Sequence, residues 1–259
     1  MMTRLLRAAL FLFLSAASVF AQSGWKIAET RREASPNESV EHWTTTVEET
    51  ATADRATLHL AVFATRTATL RVIDQPSAPR ADLASAMSRI NALAGVNGGY
   101  FDPEDAPVGL LVSEGRVLSP SRKAKLLTGV LCTTQNQVDI VRTTHFTMTK
   151  KVKAAVQCGP LLIERGAPVP GLNDTRPARR TFAAVDGEGH ALIGVSSAVT
   201  LGQLSRILRL PNLAGKMKIS RALNLDGGSS TAFWFAGKEE PFSISESKTV
   251  RDFVAVVPR

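Results

Sequence analysis

The chain has 259 residues, 44% of them hydrophobic and 21% charged, with a formal charge of +8. This composition excludes a disordered polymer and is enough to bury a core in one large domain or two small ones. The basic balance favours anionic partners such as phosphates, acidic glycans or anionic lipid, but no Lys/Arg run interleaved with aromatics points to nucleic acid.

In chain order, residues 1–21 place Arg4 and Arg7 before an apolar stretch that ends in Val19-Phe20-Ala21. That pattern predicts a secretory signal cleaved after Ala21, and hence a periplasmic or secreted protein. An uncleaved anchor needs about 20 apolar residues, more than this stretch offers. No Cys follows the cleavage site to carry a lipid, and no later segment is apolar enough for stable membrane insertion. Residues 22–56 are expected to be an N-terminal lead-in to one domain at 57–259.

Alternation of apolar residues predicts strands from Thr57 to Phe63 and from Ala68 to Val72. Asp82 is placed to cap a helix with Leu83, Met87, Ile90 and Ala94 on one face, and Gly95 is expected to end it. GVNGGYF, 95–101, reads as a short strand and a glycine turn. A hairpin turning at Ser113-Glu114-Gly115 follows, then strand-like runs at 126–132, 138–141 and 154–163. Asp186-Gly187-Glu188-Gly189 predicts a second hairpin. Thr200 with Gln203 has the spacing of a capping box that opens a second helix. Ala222, Leu223 and Leu225 form a strand into Asp226-Gly227-Gly228, Phe233–Phe235 begins a return strand, and 252–257 is the last strand.

Two helices among many strands, without βαβ alternation, predict an α+β fold with mixed or antiparallel sheets in a single domain. Asn97-Gly98-Gly99 and Asp226-Gly227-Gly228 each follow a helix and a strand, by internal duplication or by chance. Cys132 and Cys158 are either a disulfide of an exported protein or two buried thiols; the distance between their α-carbons decides.

Several chemistries lack their residues. There is no P-loop, dinucleotide fingerprint, HExxH, CxxC or GxSxG, and the four histidines have no metal-ligand spacing. No cofactor or metal is expected. What remains is polar residues at strand ends beside glycines. Asn97 and Asp226 each sit where an apolar strand stops, and paired glycines let a ligand approach the backbone. A carboxylate held at Asp226 can serve as general base, nucleophile or stabiliser of positive charge. The competing reading is a tight turn made of turn-favouring residues. Cys158-Gly159-Pro160 is a third such strand end, or a bulge. Arg180 and Thr181 present a guanidinium and a hydroxyl suited to phosphate, or belong to a solvated basic loop.

The order GVNGGYF, VGLLVSEGRV, QCGPLLIERG, RRTFAAVDGEGHALIGV and LNLDGGSSTAF resembles the phosphodiester glycosidase family over roughly residues 57–257. Family members usually have Gly-Gly-Pro where this chain has Cys158-Gly159-Pro160, Pro-Arg-Thr where it has Arg179-Arg180-Thr181, and a third glycine where it has Ser229. The resemblance implies hydrolysis between a sugar's anomeric carbon and a phosphodiester oxygen. It makes Asp226, Arg180 and Asn97 the catalytic candidates. Asp226 would act on the anomeric carbon as nucleophile or as base for water, and Arg180 on the leaving phosphate. Asn97 and Asn224 would hold sugar hydroxyls. Gly98, Gly99, Tyr100, Gly159, Pro160, Thr181, Gly227, Gly228 and Ser229 would line the substrate site with Asn224. Asp102, Glu104 and Asp105 either supply a second carboxylate or are solvated.

Three functions compete. The first is an exported hydrolase of a cell-envelope or exopolysaccharide glycan, whose partner is a glycan or sugar-phosphate substrate. The second is a non-catalytic glycan-binding protein on the same fold, and the third is a phosphodiesterase that breaks the P–O bond. Oligomeric state is not legible.

Overall fold

The computed structural model describes residues 24–135 and 137–259. The expected signal, 1–21, lies outside the described residues. In chain order the strands are β1 (Trp25–Ala34), β2 (Val40–Glu49), β3 (Arg55–Ala64), β4 (Ala68–Asp74), β5 (Ala94–Asn97), β6 (Leu111–Ser113), β7 (Arg116–Ser119), β8 (Gly129–Thr133), β9 (Val138–Arg142), β10 (Ala154–Cys158), β11 (Leu161–Glu164), β12 (Ala167–Pro168), β13 (Ala178–Val185), β14 (His190–Val199), β15 (Arg221–Asn224), β16 (Phe233–Phe235), β17 (Phe242–Ile244) and β18 (Asp252–Pro258). Helix α1 (Leu83–Arg89) precedes β5, and α2 (Leu201–Ile207) precedes β15.

The strands form three sheets. An eight-stranded sheet has the order β1-β2-β3-β14-β13-β15-β11-β12, and two five-stranded sheets have the orders β7-β6-β10-β8-β9 and β17-β16-β5-β18-β4. Pairings within the sheets are antiparallel. This is the expected α+β, strand-rich class. One core joins the inner faces of all three sheets, through residues such as Phe63, Leu131, Val156, Leu223, Phe233 and Val254. A second cluster packs α2 (Leu204, Ile207) on the outer face of the eight-stranded sheet (Leu60, Phe182, Leu192). A third packs α1 (Leu83, Met87) on β16 and β18. The central strands are therefore buried on both faces and read as continuous apolar runs rather than alternating ones.

Both predicted caps are present. Asp82 Oδ1 accepts the Ser85 N–H at 2.7 Å, and Thr200 and Gln203 form the reciprocal capping box. Both hairpins are present as well, with Glu114 and Gly115 at positive φ (51° and 79°), as a two-residue turn demands.

Four expectations change. Residues 22–56 are not a mere lead-in: β1 and β2, ten residues each, add a hairpin to the eight-stranded sheet. Helix α1 stops at Arg89, and Gly95 lies inside β5, where it has to be glycine because a Cβ there would overlap Met87 of the helix packed on it. The run 154–163 is two strands, broken at the cis Gly159–Pro160 bond, so β10 and β11 belong to different sheets. Likewise β16 is not the return partner of β15: it pairs with β5 in another sheet.

The cysteines are free, buried thiols. In the β8–β10 ladder, Cys132 lies opposite Ala155 and Cys158 opposite Gly129. The offset of three residues is about 10 Å along the strand and puts the two side chains on opposite faces, beyond disulfide reach.

Candidate active site

Polar side chains gather where the three sheets meet. In the eight-stranded sheet, Phe182 of β13 lies opposite Asn224 of β15, and one step on the Leu225 N–H donates to Thr181 O at 2.8 Å. Continuing that antiparallel register, Arg180 and Asp226 are the next residues across from each other at the sheet's end. Gly227 lets the two chains approach: a Cβ there would sit 2.8 Å from Arg179 O. Gly228 then turns with φ +65°, a left-handed conformation that favours glycine, and its carbonyl accepts from Arg179 Nε at 3.2 Å.

From the β16–β5–β18 sheet comes Asn97. It is fully buried and its amide is engaged. Nδ2 donates to Asp226 O at 2.7 Å, while Oδ1 accepts from Thr181 Oγ1 at 2.7 Å and from the Ala232 N–H at 3.1 Å. The Asp226 N–H donates to Gly98 O at 3.1 Å. Asp226 therefore has both backbone polar groups held by the Asn97-Gly98 turn, across a sheet boundary.

The third sheet contributes the end of β10. Tyr100 Oη donates to Gly159 O at 2.6 Å, and Asn224 Nδ2 lies 3.1 Å from both Tyr100 Oη and Gly159 O. A Cβ at Gly159 would overlap Leu126 O, so this turn also requires glycine. Asn224 is 3% exposed, and its Oδ1 is buried without a hydrogen-bond partner. Thr181 is fully buried, whereas Ser229 is exposed and binds the Ser247 N–H through its carbonyl at 2.8 Å. Pro160 follows the cis bond, and its carbonyl accepts the Asn224 N–H at 3.0 Å.

The two charged candidates are both partly accessible. Asp226 is half-buried, and burial pushes its carboxyl above the ordinary aspartate range. The Ser230 hydroxyl, the Gly227 N–H (2.9 Å from Oδ1) and the Lys248 ammonium oppose that rise. Arg180 is half-buried too. Its Nε donates to Val199 O at 2.9 Å and its Nη2 to Arg176 O at 2.6 Å, which leaves Nη1 without a bond among the described residues. Burial lowers its pKa, with the Tyr100 phenol opposing. Among the described residues no ion pair within 4.0 Å involves Arg180 or Asp226; Arg180 is held by backbone carbonyls, and Asp226 by the Gly227 N–H and the Ser230 hydroxyl, with Lys248 acting from farther away. A fixed guanidinium with an open donor edge and a desolvated carboxylate, at adjoining ends of paired strands, suit a substrate that is anionic at one end and develops positive charge at the other.

Two further residues reach this region without a sequence signal. Lys248, from the loop before β18, lies 4.9 Å over the Phe101 ring and within electrostatic range of Asp226. Asp252, the first residue of β18, is 2% exposed and accepts the Gly99 N–H at 3.0 Å. Neither belongs to a motif, and both lie over 20 residues from Asp226 in the chain. The carboxylates considered after Asn97 are used elsewhere. Asp102 Oδ1 accepts the Glu104 and Ala106 N–H groups of its own loop, Asp105 pairs with Arg80 at 2.7 Å, and Glu104 is exposed. Asp102, Glu104 and Asp105 thus follow the loop reading, not that of a second carboxylate. The described residues contain no cluster of three or more His, Cys, Asp or Glu side chains arranged for a metal.

Comparison with known proteins shows the family and the fold. The family model for phosphodiester glycosidase matches residues 90–257. No curated protein sequence matches. Among solved structures, the catalytic domain of zebrafish N-acetylglucosamine-1-phosphodiester alpha-N-acetylglucosaminidase, auto-inhibited by its pro-peptide, superposes with a TM-score of 0.65 at 14% identity, covering 89% of this chain and 88% of that one. A protein from Synechocystis superposes with a TM-score of 0.59 at 16% identity, over 91% of this chain and 68% of that one. A Burkholderia pseudomallei protein described as exported gives 0.53 at 14% identity, over 80% and 75%. At these identities the structural matches show the fold. The match over residues 90–257 takes in Asn97, Arg180 and Asp226 and shows the family: the chain belongs to the phosphodiester glycosidases.

Proposed function

We propose that this protein is an exported hydrolase that cleaves the bond between a sugar's anomeric carbon and a phosphodiester oxygen, in a cell-envelope or exopolysaccharide glycan. The observation that carries this reading is the placement of Arg180 and Asp226 on facing strand ends, each half-buried and neither ion-paired. Family membership supplies the reaction class.

The chemistry follows from the leaving group. A phosphate monoester departs as a stable anion, so less acid assistance is needed than for an ordinary glycoside. As the C1–O bond breaks, its electron pair passes to the phosphate oxygen. Arg180 stabilises the charge arriving there through Nη1, and Lys248 adds to the local positive field. Asp226 faces the oxocarbenium-like carbon, as nucleophile or as base for the attacking water. Water's oxygen ends on C1 and its proton leaves to solvent. A donor fixed before the reaction is worth about 10²–10³-fold in rate.

The buried residues take a different role from that expected. Asn97, with every amide group engaged, positions Asp226 instead of touching a sugar hydroxyl. Thr181 holds Asn97, and Tyr100 and Asn224 hold the Gly159-Pro160 turn. Gly98, Gly99 and Gly227 give the close packing that brings these groups together, Gly228 supplies the left-handed turn, and Ser229 is left at the accessible rim.

Purified protein incubated with N-acetylglucosamine 1-(methyl phosphate) and other sugar-1-(methyl phosphate) diesters should release free sugar. In ¹⁸O-water the label should enter the sugar. Label in the phosphate would convert the reading to a phosphodiesterase. Saturable binding with no turnover of any diester would convert it to a glycan-binding protein.

A further inference from the structure

The geometry points to Asp252 as a positioning residue of this site: its buried carboxylate clamps the Gly98-Gly99 turn that in turn holds the backbone of Asp226. This inference rests on the proposed function for its catalytic meaning, but its physical content is testable without a substrate.

One residue grips two successive N–H groups. The Asp252 carbonyl accepts from Gly98 N at 2.9 Å, and its side-chain Oδ1 accepts from Gly99 N at 3.0 Å. Gly98 has to be glycine for this, since a Cβ there would overlap Asp252 Oδ1. The next bond in the chain of contacts is Asp226 N–H to Gly98 O, at 3.1 Å. Two hydrogen bonds therefore separate the Asp252 carboxylate from the backbone of the proposed catalytic carboxylate. The register fixes the arrangement, because Phe253 pairs with Asn97 in the β18–β5 ladder and Asp252 falls just beyond it, under the turn.

The charges around Asp252 come from four places. Asp74 lies opposite it on β4, and Arg251 grips Asp74 through two bonds of 2.7 and 3.2 Å. Asp226 approaches from the end of β15 and the Cys158 thiol from the end of β10. Burial is the largest influence and pushes the Asp252 carboxyl up to about 7. The Gly99 N–H opposes it, Asp74 adds to it, Arg251 opposes it and Asp226 adds to it. Near neutral pH the bond to Gly99 thus alternates between a charge-assisted one and a weaker neutral one. Because Asp252 and Asp226 repel, their titrations are coupled.

The linkage has a definite sign. Asp252 has a folded pKa above its unfolded value of about 3.9, so the stability it contributes is complete below that value and is lost as pH rises through about 7. Asp252→Asn keeps an acceptor for Gly99 and cannot ionise. Relative to the natural protein, it should gain in Tm between pH 5 and pH 8.

The decisive experiment follows the backbone amides of Gly99 and Asp226 by ¹⁵N NMR from pH 5 to pH 9. In the natural protein the Gly99 amide should inflect near pH 7. Asp252→Asn should remove that inflection, and Asp226→Asn should keep it but move it to lower pH, since a like charge is gone. A Gly99 amide with no inflection overturns the inference. So does an inflection that Asp226→Asn leaves in place, because Asp252 would then be an isolated structural carboxylate. The natural protein alone decides the first point, even if a variant fails to fold. Diester hydrolysis without the inflection would sink this inference and leave the proposed function standing; the inflection without hydrolysis of any diester would do the reverse.

Discussion

Strand β13 has an Asp-Gly turn at each end, and the two behave differently. At its C-terminal end, Asp186-Gly187 closes the hairpin to β14. Asp186 engages its whole carboxylate inside that turn: Oδ1 accepts the Glu188 and His190 N–H groups at 2.7 and 3.0 Å, and Oδ2 lies 2.7 Å from His190 Nδ1. At the other end, Asp226-Gly227 comes from the neighbouring strand and leaves the sheet altogether. Its backbone is held by Asn97 and Gly98 of a different sheet, and its side chain accepts the Gly227 N–H at 2.9 Å and is met by the Ser230 hydroxyl. A turn that satisfies its own aspartate leaves that carboxylate no open acceptor edge. A turn held by its backbone leaves part of the carboxylate open, and that difference is what the proposed role of Asp226 rests on.

The largest expected effect breaks the symmetry outright. Asp226→Asn should lower kcat/KM for a sugar-1-phosphodiester by at least about 10³-fold with the fold intact, as when a central catalytic group is removed. Asp186→Asn should leave the rate unchanged and cost about 1–3 kcal/mol in chemical denaturation, because one of the two acceptor oxygens of a buried hydrogen-bonded network becomes a donor and the charge is lost. Equal losses of rate in both variants would remove the distinction.

Next in size is Arg180→Gln. Loss of one fixed donor to the leaving phosphate should lower kcat by about 10²–10³-fold, read in the same steady-state assay. A change confined to KM would show that Arg180 binds the phosphate equally in ground and transition states.

The glycines sharpen the comparison further. At Gly227 a Cβ would meet Arg179 O at 2.8 Å, so Gly227→Ala must push β13 and the Asp226 turn apart. An activity loss of about 10-fold or more is expected, together with about 1–3 kcal/mol of stability. Gly187 has φ +83° and its nearest neighbour to a Cβ is Ser220 Oγ at 3.6 Å. Gly187→Ala should therefore cost about 1 kcal/mol of backbone strain, visible in Tm alone.

The smallest effect concerns pH. Burial holds the Asp226 pKa above the ordinary aspartate value, so the acid limb of kcat/KM should lie above about pH 4 and fall as protons bind. Lys248 opposes the shift, so Lys248→Met should move that limb to higher pH, less in high salt, since the lysine is exposed.

Local features were legible in the sequence. The caps at Asp82 and Thr200 and the turns at Glu114-Gly115 and Asp186–Gly189 each depend on residues two to four positions apart, and they formed as expected. The sheet boundaries were not. The segment 154–163 and the return after Asp226 both look continuous because strands buried on two faces carry no alternation to mark where one sheet ends. For the site, Asp226 and Arg180 could be picked out beside turn residues. Asn97 was picked out with them, but not its burial, since no local pattern says that its amide will be met by Thr181 and Ala232. Asp252 and Lys248 gave no signal at all. Their placement at the site comes from the β18–β5 register and the loop before it, which only the folded chain sets.

The most direct test of the account is a crystal structure of the Asp226→Asn protein with N-acetylglucosamine 1-(methyl phosphate). The anomeric carbon should lie within about 3.5 Å of the side chain at position 226, with the phosphate hydrogen-bonded to Arg180. A diester seated elsewhere, for instance in the cavity of about 980 Å³ beside Trp25 and Trp43, with the Arg180 and Asp226 ends of the strands empty, would contradict it.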